Sequence, residues 1–143
     1  MPLTFDQALA IAKATLEEGR RRDFAPLCAV VLDAGAHPVV VLRDDGASIS
    51  RPEIATAKAA GCLGMGLGGR EIAKRAAHVP HFFAALTTVL PKGILPVPGG
   101  VLIRDETGEI LGAIGVSGDT SDNDEICAVA AIEAAGLKAD TGA

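Results

Sequence analysis

Apolar positions along this chain follow two different periods. Phe5, Leu9, Ala12 and Leu16 recur at helical spacing behind a Thr4–Gln7 capping box, and Gly19 is the expected stop. Leu27 to Leu32 (LCAVVL) and Pro38 to Arg43 (PVVVLR) then read as two strands joined by Asp33-Ala34-Gly35-Ala36. After the loop Asp44-Asp45-Gly46, Ser50-Arg51-Pro52-Glu53 has the form of a second capping box, with proline in the first helical turn. It predicts a helix running toward Leu67, weakened by Gly61, Gly64 and Gly66 and broken at Gly68-Gly69. Glu71 to Ala77 and Phe82 to Val89 are helical in pattern on either side of Pro80, and Lys92 to Pro98 is too rich in proline for a central strand. Val101 to Arg104 and Glu109 to Val116 form a second hairpin around Asp105-Glu106-Thr107-Gly108, and a last helix spans about Asp122 to Gly136.

The order is helix, hairpin, helices, hairpin, helix. Strands joined as hairpins predict a mainly antiparallel sheet. Their strongly apolar composition predicts cover on both faces, hence a three-layer α-β-α architecture. Gly112, Gly115 and Gly118 stand where a β-branched residue is the ordinary choice, which predicts a close approach by another backbone or by a ligand. The 143 residues are enough for one core, and no linker or low-complexity stretch divides residues 1–143.

Composition narrows the function classes. No apolar run reaches the roughly 18 residues of a membrane span, and MPLTFDQALA lacks the regions of a signal peptide, so the expected location is the cytoplasm, with no membrane partner. A net charge of −5, with no tryptophan or tyrosine and no basic stripe beyond Arg20-Arg21-Arg22, argues against nucleic acid. Cys28, Cys62 and Cys127 are an odd count without a CxxC spacing, which predicts reduced, buried thiols rather than disulfides or a zinc site.

Four segments together resemble the GlcG/HbpS family of small bacterial proteins, also called the haem-degrading domain family. They are VVLDAGAHPVVVLRDDGA (Val30 to Ala47), SRPEIATAKAA (Ser50 to Ala60), PVPGGVLIRD (Pro96 to Asp105) and GAIGVSGDTSDNDEICA (Gly112 to Ala128). The resemblance implies a profilin-like α-β-α fold, homo-oligomers from dimer to octamer, and haem as a ligand in some members, including one fused to a cobalamin adenosyltransferase. It carries over no haem-ligating residue. Relatives usually read R-M-D-G where this chain has Arg43-Asp44-Asp45-Gly46, so a carboxylate stands at Asp44 in place of an apolar side chain.

Candidate chemistry falls into four groups. Ser117 to Glu125 packs carboxylates into a helix start. Most suit capping, with Asp122 and Glu125 in a D-x-x-E box, while Asp124 or Glu125 remains a candidate for acid–base work, for a divalent cation, or for pairing with a neighbour's arginines. His78-Val79-Pro80-His81-Phe82-Phe83 is a haem or metal corner: His81 or His78 could ligate iron and the rings could cover a porphyrin face. The alternative is a packed phenylalanine pair beside ordinary histidines. Arg43, Arg51 and Glu53 surround a helix start that could hold a carboxylate or phosphate, or could form a solvated loop. Gly99 and Gly100 in PVPGG could form an anion-binding nest, or a rigid strand entry. Lys58, one turn into the helix that Arg51 and Glu53 begin, could be a buried cation or an ordinary surface lysine, and the base rate for lysine favours the surface.

Three functional readings follow. One is a small-ligand-binding protein for haem or a related tetrapyrrole. The second is a small catabolic enzyme (an isomerase, hydratase or lactone hydrolase) acting on an organic acid with His81, Asp124 or Glu125 in proton transfer. The third is a non-catalytic oligomeric sensor or assembly subunit.

Overall fold

The computed structural model describes residues 2–143. Helix α1 (Phe5–Arg21) begins at the predicted reciprocal box, with Gln7 N donating to Thr4 Oγ1 at 3.1 Å and Thr4 N to Gln7 Oε1 at 3.0 Å. It runs past the expected stop at Gly19. A Cβ there would lie 2.6 Å from Leu27 Cδ1, so this glycine serves packing, and the left-handed turn falls at Asp23, φ 60°. Strands β1 (Cys28–Asp33) and β2 (Pro38–Arg43) form the first hairpin. Helices α2 (Arg51–Met65), α3 (Gly69–His78) and α4 (Pro80–Leu86) follow, then strands β3 (Gly100–Arg104) and β4 (Ile110–Ser117), helix α5 (Ser121–Ala134) and a short strand β5 (Lys138–Asp140).

The strands make one antiparallel sheet in the order β2-β1-β4-β3-β5. Helices α1 and α5 cover one face, where Ile11, Leu16, Val31, Val101, Ile114, Val116 and Ile132 meet. Helices α2, α3 and α4 cover the other, where Ile72 and Phe83 from the helices join Val30, Leu32 and Leu102 of the sheet. The predicted three-layer α-β-α arrangement is therefore observed. Strand β5 had no legible pattern, because three residues with one apolar side chain give no period to read.

The glycines of β4, and Gly118 just after it, meet backbone. A Cβ on Gly115 would sit 1.8 Å from the Ala55 carbonyl oxygen, so α2 rests directly on the central strand through its Ala55–Ala59 face. Cβ atoms at Gly112 and Gly118 would fall 2.2 Å from Leu32 O and 2.3 Å from Pro26 O. Asp44, the departure from the family pattern, ties the end of β2 to the end of α1: its carboxylate accepts from Arg20 Nε at 2.9 Å and Nη2 at 2.6 Å. The Arg20 guanidinium holds the Asp44 carboxyl below the usual carboxylate range.

Neither remaining capping box forms. Ser50 is helical in backbone (φ −88°, ψ −6°) and its side chain bonds no helix N–H. At α5 the cap is Thr120, whose Oγ1 accepts from Asn123 N at 3.2 Å; Asp122 lies inside the first turn. Both segments carry the letters of the box without the extended cap geometry that would aim the side chain at the N3 amide.

Candidate functional site

The strand β4 ends in a polar cluster built from three layers. Lys58, expected at the surface, is 4% exposed. Its Nζ donates to Val116 O at 2.9 Å and to Asp124 Oδ2 at 3.1 Å. Asp124 is 1% exposed, and its other oxygen accepts from Asp119 N at 3.0 Å. Burial pushes the Asp124 carboxyl above its ordinary value, opposed by the Lys58 ammonium and the Asp119 amide. An unpaired charge at this depth would be far costlier, so the pair acts as one unit.

Gly99 and Gly100 lie over this lysine. A Cβ on Gly99 would come within 2.8 Å of Lys58 Nζ, and one on Gly100 within 2.5 Å of Lys58 O, while Gly99 also needs its φ of 110°. Gly99 O accepts from Val116 N at 2.9 Å, so the PVPGG segment closes over the pair. Next to it, Arg51 Nη1 donates to the buried Ser117 Oγ at 3.0 Å and Arg51 Nε to Ser48 Oγ at 3.2 Å. The structure thus brings Gly99, Gly100 and Asp124 together around Lys58, with Arg51 bonded to Ser117, the residue after Val116.

Arg43 and Glu53 stand apart from that cluster. Arg43 is exposed and its Nη1 donates to Ala47 O at 2.8 Å; Glu53 is exposed on the first turn of α2. Glu125 receives Arg70 of the same chain through Nε at 3.2 Å and Nη2 at 2.8 Å, and Asp122 takes Arg70 Nη2 at 2.7 Å. These acids therefore staple α5 to α3 within the chain, and they raise the already high pKa of Arg70. Asp119 is held below its ordinary value by Ala25 N, Thr120 N and Asn123 Nδ2, at 2.7, 2.8 and 2.7 Å.

The histidine corner is the junction of α3 and α4. His78 and His81 are exposed, and neither side chain makes a hydrogen bond among the described residues. Val79 and Phe82 beside them are 49% and 55% exposed, whereas Phe83 is buried and meets Phe82 edge to face at 5.5 Å between centroids. Of the three acid–base candidates, His81 alone is exposed with its side chain unbonded. No group of three or more histidine, cysteine, aspartate or glutamate side chains among the described residues is arranged for a metal ion. A haem iron needs only one or two protein ligands, and imidazole is a suitable donor, so His78 or His81 could hold one. The three thiols are buried, and burial pushes Cys28, Cys62 and Cys127 to about 11, 12 and 11, which removes thiolate chemistry at neutral pH.

No helix among the described residues is long and apolar enough to cross a membrane. Among solved structures, a double mutant of HbpS from Streptomyces reticuli is 27% identical with a TM-score of 0.81, over 94% of this chain and 87% of that one. Klebsiella pneumoniae protein ORFY is 25% identical with a TM-score of 0.81, over 93% and 90%. PduOC, solved as a haem complex, shares the fold at 22% identity and a TM-score of 0.85, over 96% and 97%. Among curated proteins none matches. The family model described as haem degrading protein HbpS-like matches residues 3–133, and the chain belongs to that family.

Proposed function

We propose that this protein binds haem or a related tetrapyrrole at the α3–α4 corner, with His81 or His78 as the axial ligand. The observation that carries this reading is the pairing of two exposed, unbonded imidazoles with an exposed apolar rim of Val79 and Phe82. Exposed phenylalanine carries a hydration cost that a flat apolar ligand covering it would relieve. Membership of the HbpS-like family, and a fold neighbour solved with haem, support the same reading. The bound group would supply its own redox and oxygen chemistry, and the protein would supply an imidazole, an apolar contact and orientation.

The corner is an exposed surface, so it would cover one face of such a ligand and leave the other open. Binding by one chain is therefore shallow and exchangeable, and a second copy in a homo-oligomer would cover the open face. Haemin titration followed in the Soret band tests the reading. The expected result is a saturable shift that is lost in His78→Ala or His81→Ala. Spectra that both substitutions leave unchanged would remove the assignment.

A further inference from the structure

A second feature shares no residue with the histidine corner. A cleft of about 330 Å³ opens between the β1–β2 turn, α2 and the segment after α4. Its lining is small and apolar, including Ala36, Ala60, Leu63, Gly64 and Leu90, and among the described residues lining it only Lys92 is charged. A smaller cleft of about 230 Å³, bounded by Val41, Pro52, Thr56 and the acidic Glu53, meets the first at Pro91 and Lys92.

Three observations point to an occupant. Lys92 Nζ donates to Ala36 O and has no carboxylate within ion-pair distance among the described residues, in a chain with a net charge of −5. An ammonium has three donors, so two remain for an incoming anion. Gly64 sits in the last turn of α2, where glycine costs part of the roughly 1 kcal/mol it costs relative to alanine in a helix interior. Its backbone is ordinary, and an added Cβ would meet only Leu90, at 3.6 Å or more, in plain van der Waals contact. Backbone and packing therefore do not require this glycine, whereas Gly61 one turn earlier is required, its Cβ falling 2.6 Å from Ile94 Cγ1. What Gly64 does is leave the wall of the cleft bare. The third is Ala36 at the rim, held at φ 65°, a conformation that costs a non-glycine residue free energy and tends to occur at functional positions.

We infer that this cleft binds a small apolar monocarboxylate, its chain or ring against Ala60, Leu63 and Leu90 and its carboxylate on Lys92. The volume is at the low end for ligand pockets, about 300–1,000 Å³, which favours a short acid over a tetrapyrrole.

Amide NMR titration of the whole protein with hexanoate, with hexanamide as the uncharged isostere, tests this. The expected result is saturable shifts centred on Ala36, Gly64 and Gly93, with hexanamide weaker by about tenfold, the worth of one charge-assisted hydrogen bond. Lys92→Gln should bring hexanoate down to the hexanamide level. Gly64→Leu should abolish both while keeping the spectrum of the fold; if that variant does not fold, Gly64→Ala should still weaken both. Equal binding of acid and amide, hexanoate binding unchanged in Lys92→Gln, shifts centred elsewhere, or no saturable shift would each overturn the inference. Haemin added to the hexanoate-loaded protein separates the two sites: hexanoate should stay bound, and its displacement by haemin would mean that the cleft belongs to the tetrapyrrole instead.

Discussion

Lys58 Nζ and Asp124 Oδ2 stand 3.1 Å apart, with both side chains almost wholly buried, and they join helices that cover opposite faces of the sheet. The contact passes the end of β4, where Val116 O accepts a further hydrogen bond from the lysine. Removing one partner leaves the other buried without its counter-charge. Lys58→Met and Asp124→Leu should each cost about 3–5 kcal/mol, while the double variant should recover most of that loss. Urea unfolding of the four proteins measures the coupling. A single-variant cost below about 1 kcal/mol would mean that the pair does not hold the layers together.

Asp119 and Asp124 shift in opposite directions, and the two have opposite consequences with pH. Asp119 is held below its ordinary value, about 3.9, by three donors, so the unfolded chain binds its proton more tightly than the fold does. Its contribution is complete above that value and is lost as pH falls through the lower folded one. Asp124, raised by burial, favours the fold most at low pH and loses that contribution as pH rises from the ordinary value through the folded one. Asp119→Asn should therefore cost about 1–2 kcal/mol at neutral pH and flatten the acid limb of the stability profile. Urea midpoints collected from pH 3 to 7 check both; an acid limb as steep as the parent's would assign the acid loss to other carboxylates, such as Asp44.

The layers were legible because the strand and helix periods are clean, as in LCAVVL and in the Phe5–Leu16 face. The polar cluster was less so, because a lysine is read by default as solvated. A signal was present nonetheless. Lys58 lies three residues after Ala55 and four before Cys62, and Asp124 lies three and four before Cys127 and Ala128, all buried. A positive charge in one apolar stripe and a negative charge in another predict each other. Arg70, Lys92 and β5 left no such mark, since their partners are set by loops whose course no local pattern fixes. Ser50 and Asp122 failed for the converse reason: the letters of a box do not determine the φ and ψ that let it form.

Gly115 measures how closely α2 is seated. Alanine there would place its Cβ 1.8 Å from Ala55 O, which only a shift of the helix relieves. Gly115→Ala should cost about 3 kcal/mol. Gly108→Ala is a useful contrast: open space surrounds it, and only its φ of 88° opposes the methyl group, so about 1 kcal/mol is expected. Thermal unfolding that ranks the two equally would show that the helix is free to move away from the strand.

Ala36 offers the reverse experiment. The turn it closes is fixed by Ala36 N donating to Asp33 O at 2.9 Å and by Asp33 Oδ1, which accepts from Gly35 N and His37 N, both at 2.9 Å. These bonds leave Ala36 in the left-handed region, where its methyl group opposes the backbone. Glycine is ordinarily destabilising because it enlarges the freedom of the unfolded chain, by about 0.4–1 kcal/mol. Here relief of the strain, about 1–2 kcal/mol, exceeds that entropy. Ala36→Gly should therefore stabilise the protein by up to about 1 kcal/mol, raising its Tm by a few degrees. Asp23→Gly, at φ 60° after α1, should change stability less, since aspartate tolerates that conformation better than alanine does. A Tm lowered by Ala36→Gly would mean that the alanine is not held in the left-handed region in solution, and the strain at the rim of the cleft would go with it.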